Sequence, residues 1–141
     1  MRAEVRHEDS RAVATQAGKA GGASPLHYDM RANLFCQLHG RKRVCLAKPA
    51  AWRALKPHPL TSPYDRRAKV RTSNLPATGV GAAAVVLDPG DVLFIPPFHW
   101  HDVQQLDTPT ISLAFWFVTG FGLVQGGKRV SVSHHSLERL L

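Results

Sequence analysis

Cysteine is nearly absent. Cys36 and Cys45 are the 2 thiols in 141 residues. They have no CxxC spacing and cannot build a disulfide framework. The expected home is therefore a reducing, intracellular compartment, cytoplasmic or nuclear, with both thiols buried. No apolar run reaches the roughly 18 residues that a membrane-spanning helix requires, so no membrane partner is expected. The opening stretch MRAEVRHEDSRAVATQAGKAGGASP has no apolar centre, so no secretory signal is expected in it. Its acids weigh against a transit peptide, although Arg and Ala are plentiful. Acidic residues are scarce overall: 10 against 18 lysines and arginines, for a formal net charge of +8. The basic clusters RKR (41–43) and YDRRAKVR (64–71) can be read in two ways. They are a surface for acidic partners or nucleic acid, or they are solvated strand ends and a loop. No internal repeat is found.

What is present is enough for one domain. At 44% hydrophobic and 20% charged, the chain has the composition of a globular protein. Residues 1–23 are polar and rich in Ala and Gly, with no sustained apolar period, and are expected to be poorly structured. From residue 24 the texture changes. NLFCQLHG (33–40) and RKRVCLAK (41–48) are apolar-rich, meet at Gly40, and predict a hairpin. PAAWRAL (49–55) has proline at a helix start and predicts a short helix. Residues 56–79 hold four prolines and no period, the mark of a long loop, and long loops in compact domains are often functional. AAAVVLD (82–88), DVLFIP (91–96), HWHDVQQL (99–106) and TISLAFWFV (110–118) are β-rich and separated by turn signals. The pattern predicts an all-β sandwich or barrel over 24–118. A tail follows over 119–141, in which SLERLL fits one helical turn or the start of a longer helix.

The chemistry gathers around PLHYDM (25–30). In a strand, His27 and Asp29 project to one side and Tyr28 to the other. Asn33 has the same parity. A two-residue turn at Gly40-Arg41 would pair residue 39 with 42, 37 with 44 and 35 with 46, which puts Lys42 on the same face. A lysine inside a small barrel is costly unless it meets an anion. The segment HWHDV supplies a further ligand, His99 or His101. Two histidines and a carboxylate form the facial triad of non-haem Fe(II) oxygenases, with positions left open for a chelating co-substrate and dioxygen. A 2-oxo acid would chelate the iron, and Lys42 would hold its distal carboxylate. An isolated HxD is more often a hydrogen-bonded pair than a metal site. Zinc also binds His and Asp, but no positioned Glu marks a metallohydrolase.

These stretches carry a resemblance. SPLHYDMRANLFCQLHGRKRVCLAKP (24–49) and LDPGDVLFIPPFHWHDV with TISLAFWF (87–117) resemble the JmjC-domain, cupin-like 2-oxoglutarate oxygenases. Within that family the closest look is to protein hydroxylases typified by factor inhibiting hypoxia-inducible factor, an asparaginyl hydroxylase. The tRNA wybutosine-synthesising JmjC enzymes are similar too. The resemblance runs over about residues 21–118.

It implies a double-stranded β-helix, the jelly-roll or cupin-like fold, with a short helix after the first hairpin. It implies Fe(II) on His27, Asp29 and His101, with His99 a neighbour, and 2-oxoglutarate and O2 as co-substrates. Lys42 and Ser24 would bind the distal carboxylate, and Asn33 would lie beside the co-substrate. Trp116 and Arg67 fall on the side of the target, which is expected to be a protein. Departures are visible. Ala114 replaces a second co-substrate asparagine, and Arg67 replaces a glutamine. No strand or tyrosine is evident before PLHYDM, so the barrel is expected to be incomplete. The implied activity is hydroxylation of a protein side chain, coupled to decarboxylation of 2-oxoglutarate to succinate and CO2. Two further outcomes are an inactive, truncated binding module and an RNA-modifying hydroxylase.

Overall fold

A computed structural model describes residues 12–118; the tail expected over 119–141 lies outside them. Eight strands form two four-stranded antiparallel sheets. In chain order these are β1 (Ala12–Gly18), β2 (His27–Tyr28), β3 (Ala32–His39), β4 (Lys42–Ala47), β5 (Ala82–Leu87), β6 (Val92–Ile95), β7 (Trp100–Gln105) and β8 (Thr110–Phe117). The first sheet runs β1-β8-β3-β6 and the second β2-β7-β4-β5. Two sheets with eight strands make up a jelly roll.

Two expectations are corrected. The segment before residue 24 contains a strand: β1 pairs along its whole length with β8, from Ala12 opposite Trp116 to Gly18 opposite Thr110. The described residues therefore supply eight strands, this one before PLHYDM included. Residues 33–48 also do not form a hairpin. β3 is bonded on one side to β6 and on the other to β8. β4 lies between β5 and β7 in the opposite sheet. Both edges of each strand are taken, so Gly40 is the point where the chain crosses between sheets. The short helix is present as a turn of 3-10 helix at Pro49–Ala51 followed by α1 (Trp52–Leu55). The long loop ends in a second 3-10 segment, Thr72–Thr78.

Strand alternation divides the hydrophobic residues into two cores. Between the sheets pack Phe35, Val44, Leu87, Leu93, Ile95 and Ala114, all buried. On the outer face of the second sheet, Leu26, Cys45, Ala47, Leu55, Leu75 and Trp100 form another buried cluster. It is covered by α1 and by the loop, through Ala51, Ala68, Val70 and Val80. The loop is thus a lid on a core rather than a free excursion. Of the two free thiols, Cys45 is buried and Cys36 half-buried. No helix among the described residues is long and apolar enough to cross a membrane.

The crossing at Gly40 is tightly held. The Gln37 amide, itself buried, donates to the carbonyls of His39 and Gly40 at 2.8 and 2.7 Å. Arg41 clasps Asp107 through both of that residue's carboxylate oxygens, at 3.0 and 3.1 Å. Gly40 has φ +64, and a Cβ there would lie 2.6 Å from the Pro109 carbonyl oxygen. Gly40→Ala should therefore cost at least about 1–2 kcal/mol from the left-handed backbone alone, more with the clash. Denaturant unfolding measures it, and an unchanged midpoint would contradict this account of the crossing.

Candidate metal centre and buried lysine

The antiparallel pairing of β2 with β7 sets His27 directly opposite His101. Residues opposite each other share a face, and the two rings lie 4.3 Å apart, centroid to centroid. Asp29 follows just beyond β2, and the Phe98 N–H fixes its carbonyl at 2.7 Å. One ligand atom from each of His27, Asp29 and His101 lies within 4.8 Å of the others. Among the described residues these three form a cluster that could hold a metal ion.

The neighbouring groups fit the trio for a cation. His27 Nδ1 lies 2.8 Å from the Pro25 carbonyl, and His101 Nδ1 lies 2.9 Å from the His99 carbonyl. A carbonyl only accepts, so each Nδ1 carries the hydrogen and each Nε2 keeps its lone pair. Burial, with the nearby charge of His27, pulls the His101 pKa down to about 4. His101 is thus neutral at pH 7, the form that ligates. The Trp116 indole N–H donates to Asp29 Oδ2 at 2.8 Å, orienting the carboxylate that lies 3.9 Å from His101 Nε2.

Lys42 enters the same interior from β4. It is 1% exposed. Its ammonium donates to Ser112 Oγ at 2.6 Å across the barrel and to the Gln16 carbonyl of β1 at 3.1 Å. It also lies 5.5 Å from the Phe35 ring centroid. No carboxylate pairs with it among the described residues, and burial lowers its pKa. Asn33 and Gln37, both buried on β3, each keep a side-chain oxygen without a hydrogen-bond partner. Lys42 and Leu46 are four residues apart on β4, and Leu46 is opposite His101. By strand rise the cation and the metal ligands therefore start from backbone levels about 13 Å apart.

The remaining expected residues are dispersed. Ser24 accepts the Val103 N–H at 2.9 Å, so its hydroxyl serves the β7 backbone. Arg67 bridges His27 through the backbone, while its exposed guanidinium lies over the Tyr64 ring at 5.6 Å. His99 is half-buried, and its carbonyl braces His101. Ala114 packs in the inner core. Sequence reasoning missed the Trp116–Asp29 bond and the seats of Lys42 on Ser112 and Gln16. Alternation along TISLAFW does put Thr110, Ser112, Ala114 and Trp116 on one face, and that signal could have supplied Ser112.

An antiparallel jelly roll with a His-Asp-His cluster and a buried cation inside it defines a cupin-type β-barrel with residues that could hold a metal ion. The chain belongs to the Cupin-like domain family, which matches residues 2–122. JmjC proteins are among its relatives. It is 40% identical over 106 residues to Jumonji C domain-containing protein 5 of Drosophila melanogaster, covering 71% of this chain and 26% of that protein. It is 33% identical over 115 residues to Lysine-specific demethylase 8 of Danio rerio, covering 78% and 28%. The chain thus spans about a quarter of the length of these curated relatives. Among solved structures, Bacillus subtilis oxalate decarboxylase shares the fold, with a TM-score of 0.54 at 15% identity over 82% of this chain and 23% of that one.

Trp116→Phe keeps the ring but removes the donor to Asp29. Loss of such an outer contact costs about 10–100-fold in metal affinity. A fall of at least tenfold in Mn(II) affinity is expected from the folded variant, and unchanged affinity would remove Trp116 from the centre.

Proposed function

We propose that the chain is an Fe(II)- and 2-oxoglutarate-dependent dioxygenase that hydroxylates a protein side chain. The observation that carries this is the buried Lys42 ammonium, unpaired with any carboxylate among the described residues, inside the same barrel as His27, Asp29 and His101. A buried cation of this kind calls for an anion. A 2-oxo diacid supplies one at its far end and a metal chelate at its near end. The JmjC relatives support an oxygenase of the 2-oxoglutarate type, and the name of the demethylase relative supports a protein as target.

In this scheme His27, Asp29 and His101 hold the iron. Bound there, iron with O2 would couple oxidative decarboxylation of 2-oxoglutarate, to succinate and CO2, to hydroxylation of a C–H bond. The protein's own residues bind and orient. Lys42 takes the distal carboxylate in a charge-assisted hydrogen bond, and Ser112 and the Gln16 carbonyl fix its ammonium. Asn33 is placed beside the co-substrate, to which its side-chain NH2 would donate. Ser24 would contribute to that carboxylate only by giving its own hydroxyl hydrogen, since it already accepts from Val103. Trp116 keeps Asp29 turned toward the histidines. Phe35, Leu93 and Ile95 exclude water from the interior. A cavity of about 610 Å3 between β5 and β6, lined by Leu46, Ala83, Leu93, Pro96 and His99, offers room for a target side chain. Lys48 is the charged residue in its lining, while Arg67, beside His27 at the β2 edge, is a further candidate for contact with the target.

Anaerobic titration with Fe(II) and 2-oxoglutarate tests the proposal through the metal-to-ligand charge-transfer band. A saturable band is expected, lost in Asp29→Ala. Lys42→Met should weaken 2-oxoglutarate binding about tenfold or more and leave metal affinity intact. A folded chain that gives no band would be a non-catalytic cupin-like module.

A further inference from the structure

The outer face of the second sheet carries a feature that the metal centre does not use. A pocket of about 220 Å3 is lined by Tyr28, Pro49, Trp52, Pro57, Phe98 and Trp100. Trp100 is the buried floor, with Tyr28 edge-on to it at 4.8 Å. Trp52 and Phe98 are the rim, 53% and 51% exposed. Two large aromatic rings open to water beside prolines form a surface on which a flat group can stack.

The rim is basic. Pro57 bridges Ala68. The His58 N–H meets the Arg67 carbonyl at 3.0 Å, and the Lys69 N–H meets the Lys56 carbonyl at 3.2 Å. This pairing folds the loop back on itself and sets exposed Lys56, Arg67 and Lys69 around Pro57. Arg53 lies over the Trp52 ring at 5.9 Å, and Arg67 over the exposed Tyr64 ring. Segment 48–71 carries seven lysines and arginines against one acid, Asp65, which is already paired with Arg66. Among the described residues, three that are not glycine have positive φ: Lys56 at 51°, Arg66 at 63° and Phe98 at 63°. Phe98 lines the pocket, Lys56 precedes its Pro57, and the Arg66 carbonyl accepts the N–H of its Tyr28 at 3.1 Å. Backbone of that kind persists where the surroundings impose it, and it clusters at functional positions.

The chemistry narrows the partner. No carboxylate lines the pocket, and the segment that supplies Pro49, Trp52 and Pro57 is cationic, so a methylammonium group would be disfavoured. An aliphatic segment would leave the cationic rim without a purpose. A ligand that alternates flat rings with negative charges satisfies both features, and aromatic platforms flanked by lysine and arginine are how single strands are held. We propose that this face docks single-stranded nucleic acid, with an unpaired base stacked among Tyr28, Trp52 and Phe98 and the flanking phosphates on Arg53, Lys56 and Lys69. The surface lies back to back with the metal centre, since Tyr28 stands between His27 and Asp29. It does not rest on the oxygenase proposal, because its binding needs no metal.

Fluorescence anisotropy of the metal-free protein with a labelled short single-stranded RNA tests it. Saturable binding that weakens with salt is expected. Trp52→Ala should weaken it about tenfold or more, with the thermal midpoint retained because Trp52 is half exposed. Phe98→Gly is the second variant: it suits the left-handed backbone, removes the ring, and should weaken binding similarly. Lys56→Ala with Lys69→Ala should flatten the salt dependence by about one to two phosphate contacts, while Arg41→Ala, at the sheet crossing, should change little. No binding at low salt would overturn the proposal, as would folded Trp52→Ala and Phe98→Gly variants that bind like the parent. Displacement of the RNA by base-free polyphosphate at equal charge would also overturn it, leaving charge alone. Displacement by an acidic peptide would make the partner a protein.

Discussion

A single buried ammonium organises this barrel. Lys42 reaches across from one sheet and is received by Ser112 and the Gln16 carbonyl of the other. A lysine that is 1% exposed pays a large desolvation penalty, which two neutral acceptors offset only in part. Apolar packing alone would favour Met or Leu at this position. The fold instead invests β1 and β8 in holding a charge that its own described residues do not neutralise. The lowered pKa of Lys42 expresses the same cost. An anionic ligand inside the barrel would resolve it, and under the proposed function a metal held by the trio at the other level would select a chelating diacid.

The metal side is built with the same economy. Antiparallel pairing brings His27 against His101 without any help from loops. Two backbone carbonyls then set both ring tautomers, and one indole sets the carboxylate. Every supporting bond comes from a strand or from the turn preceding one. Such a centre is preorganised by register, so an error of one residue in β2 or β7 would turn the ligands to the opposite face.

Much of the inner surface was legible from parity alone. His27 and Asp29 alternate around Tyr28, and Asn33, Phe35 and Gln37 share one face of β3, all three buried. Lys42 was placed correctly in the interior but by the wrong route. The apolar runs on either side of Gly40 look like a hairpin, because local sequence does not reveal that β3 and β4 already have partners on both sides. Alternation still points Lys42 inward, since two facing sheets present their inner faces to one another. β1 was missed for a different reason. AVATQAG consists mostly of small residues with little strand preference, and its structure depends on backbone pairing with β8. The Trp116 contact joins residues 87 positions apart, and no local pattern encodes it. The aromatic surface beside the basic loop is not local in sequence; the fold gathers it from α1, β2 and the turn at Phe98.

The most direct test of the central claim is the titration of Lys42 itself. NMR of the labelled lysine side chain can follow its pKa in the metal-loaded, oxygen-free protein, with and without 2-oxoglutarate. The account predicts a value below the ordinary lysine range of about 10.4 in the free protein, and a clear rise when the diacid binds. A Lys42 that titrates normally and ignores 2-oxoglutarate would contradict it.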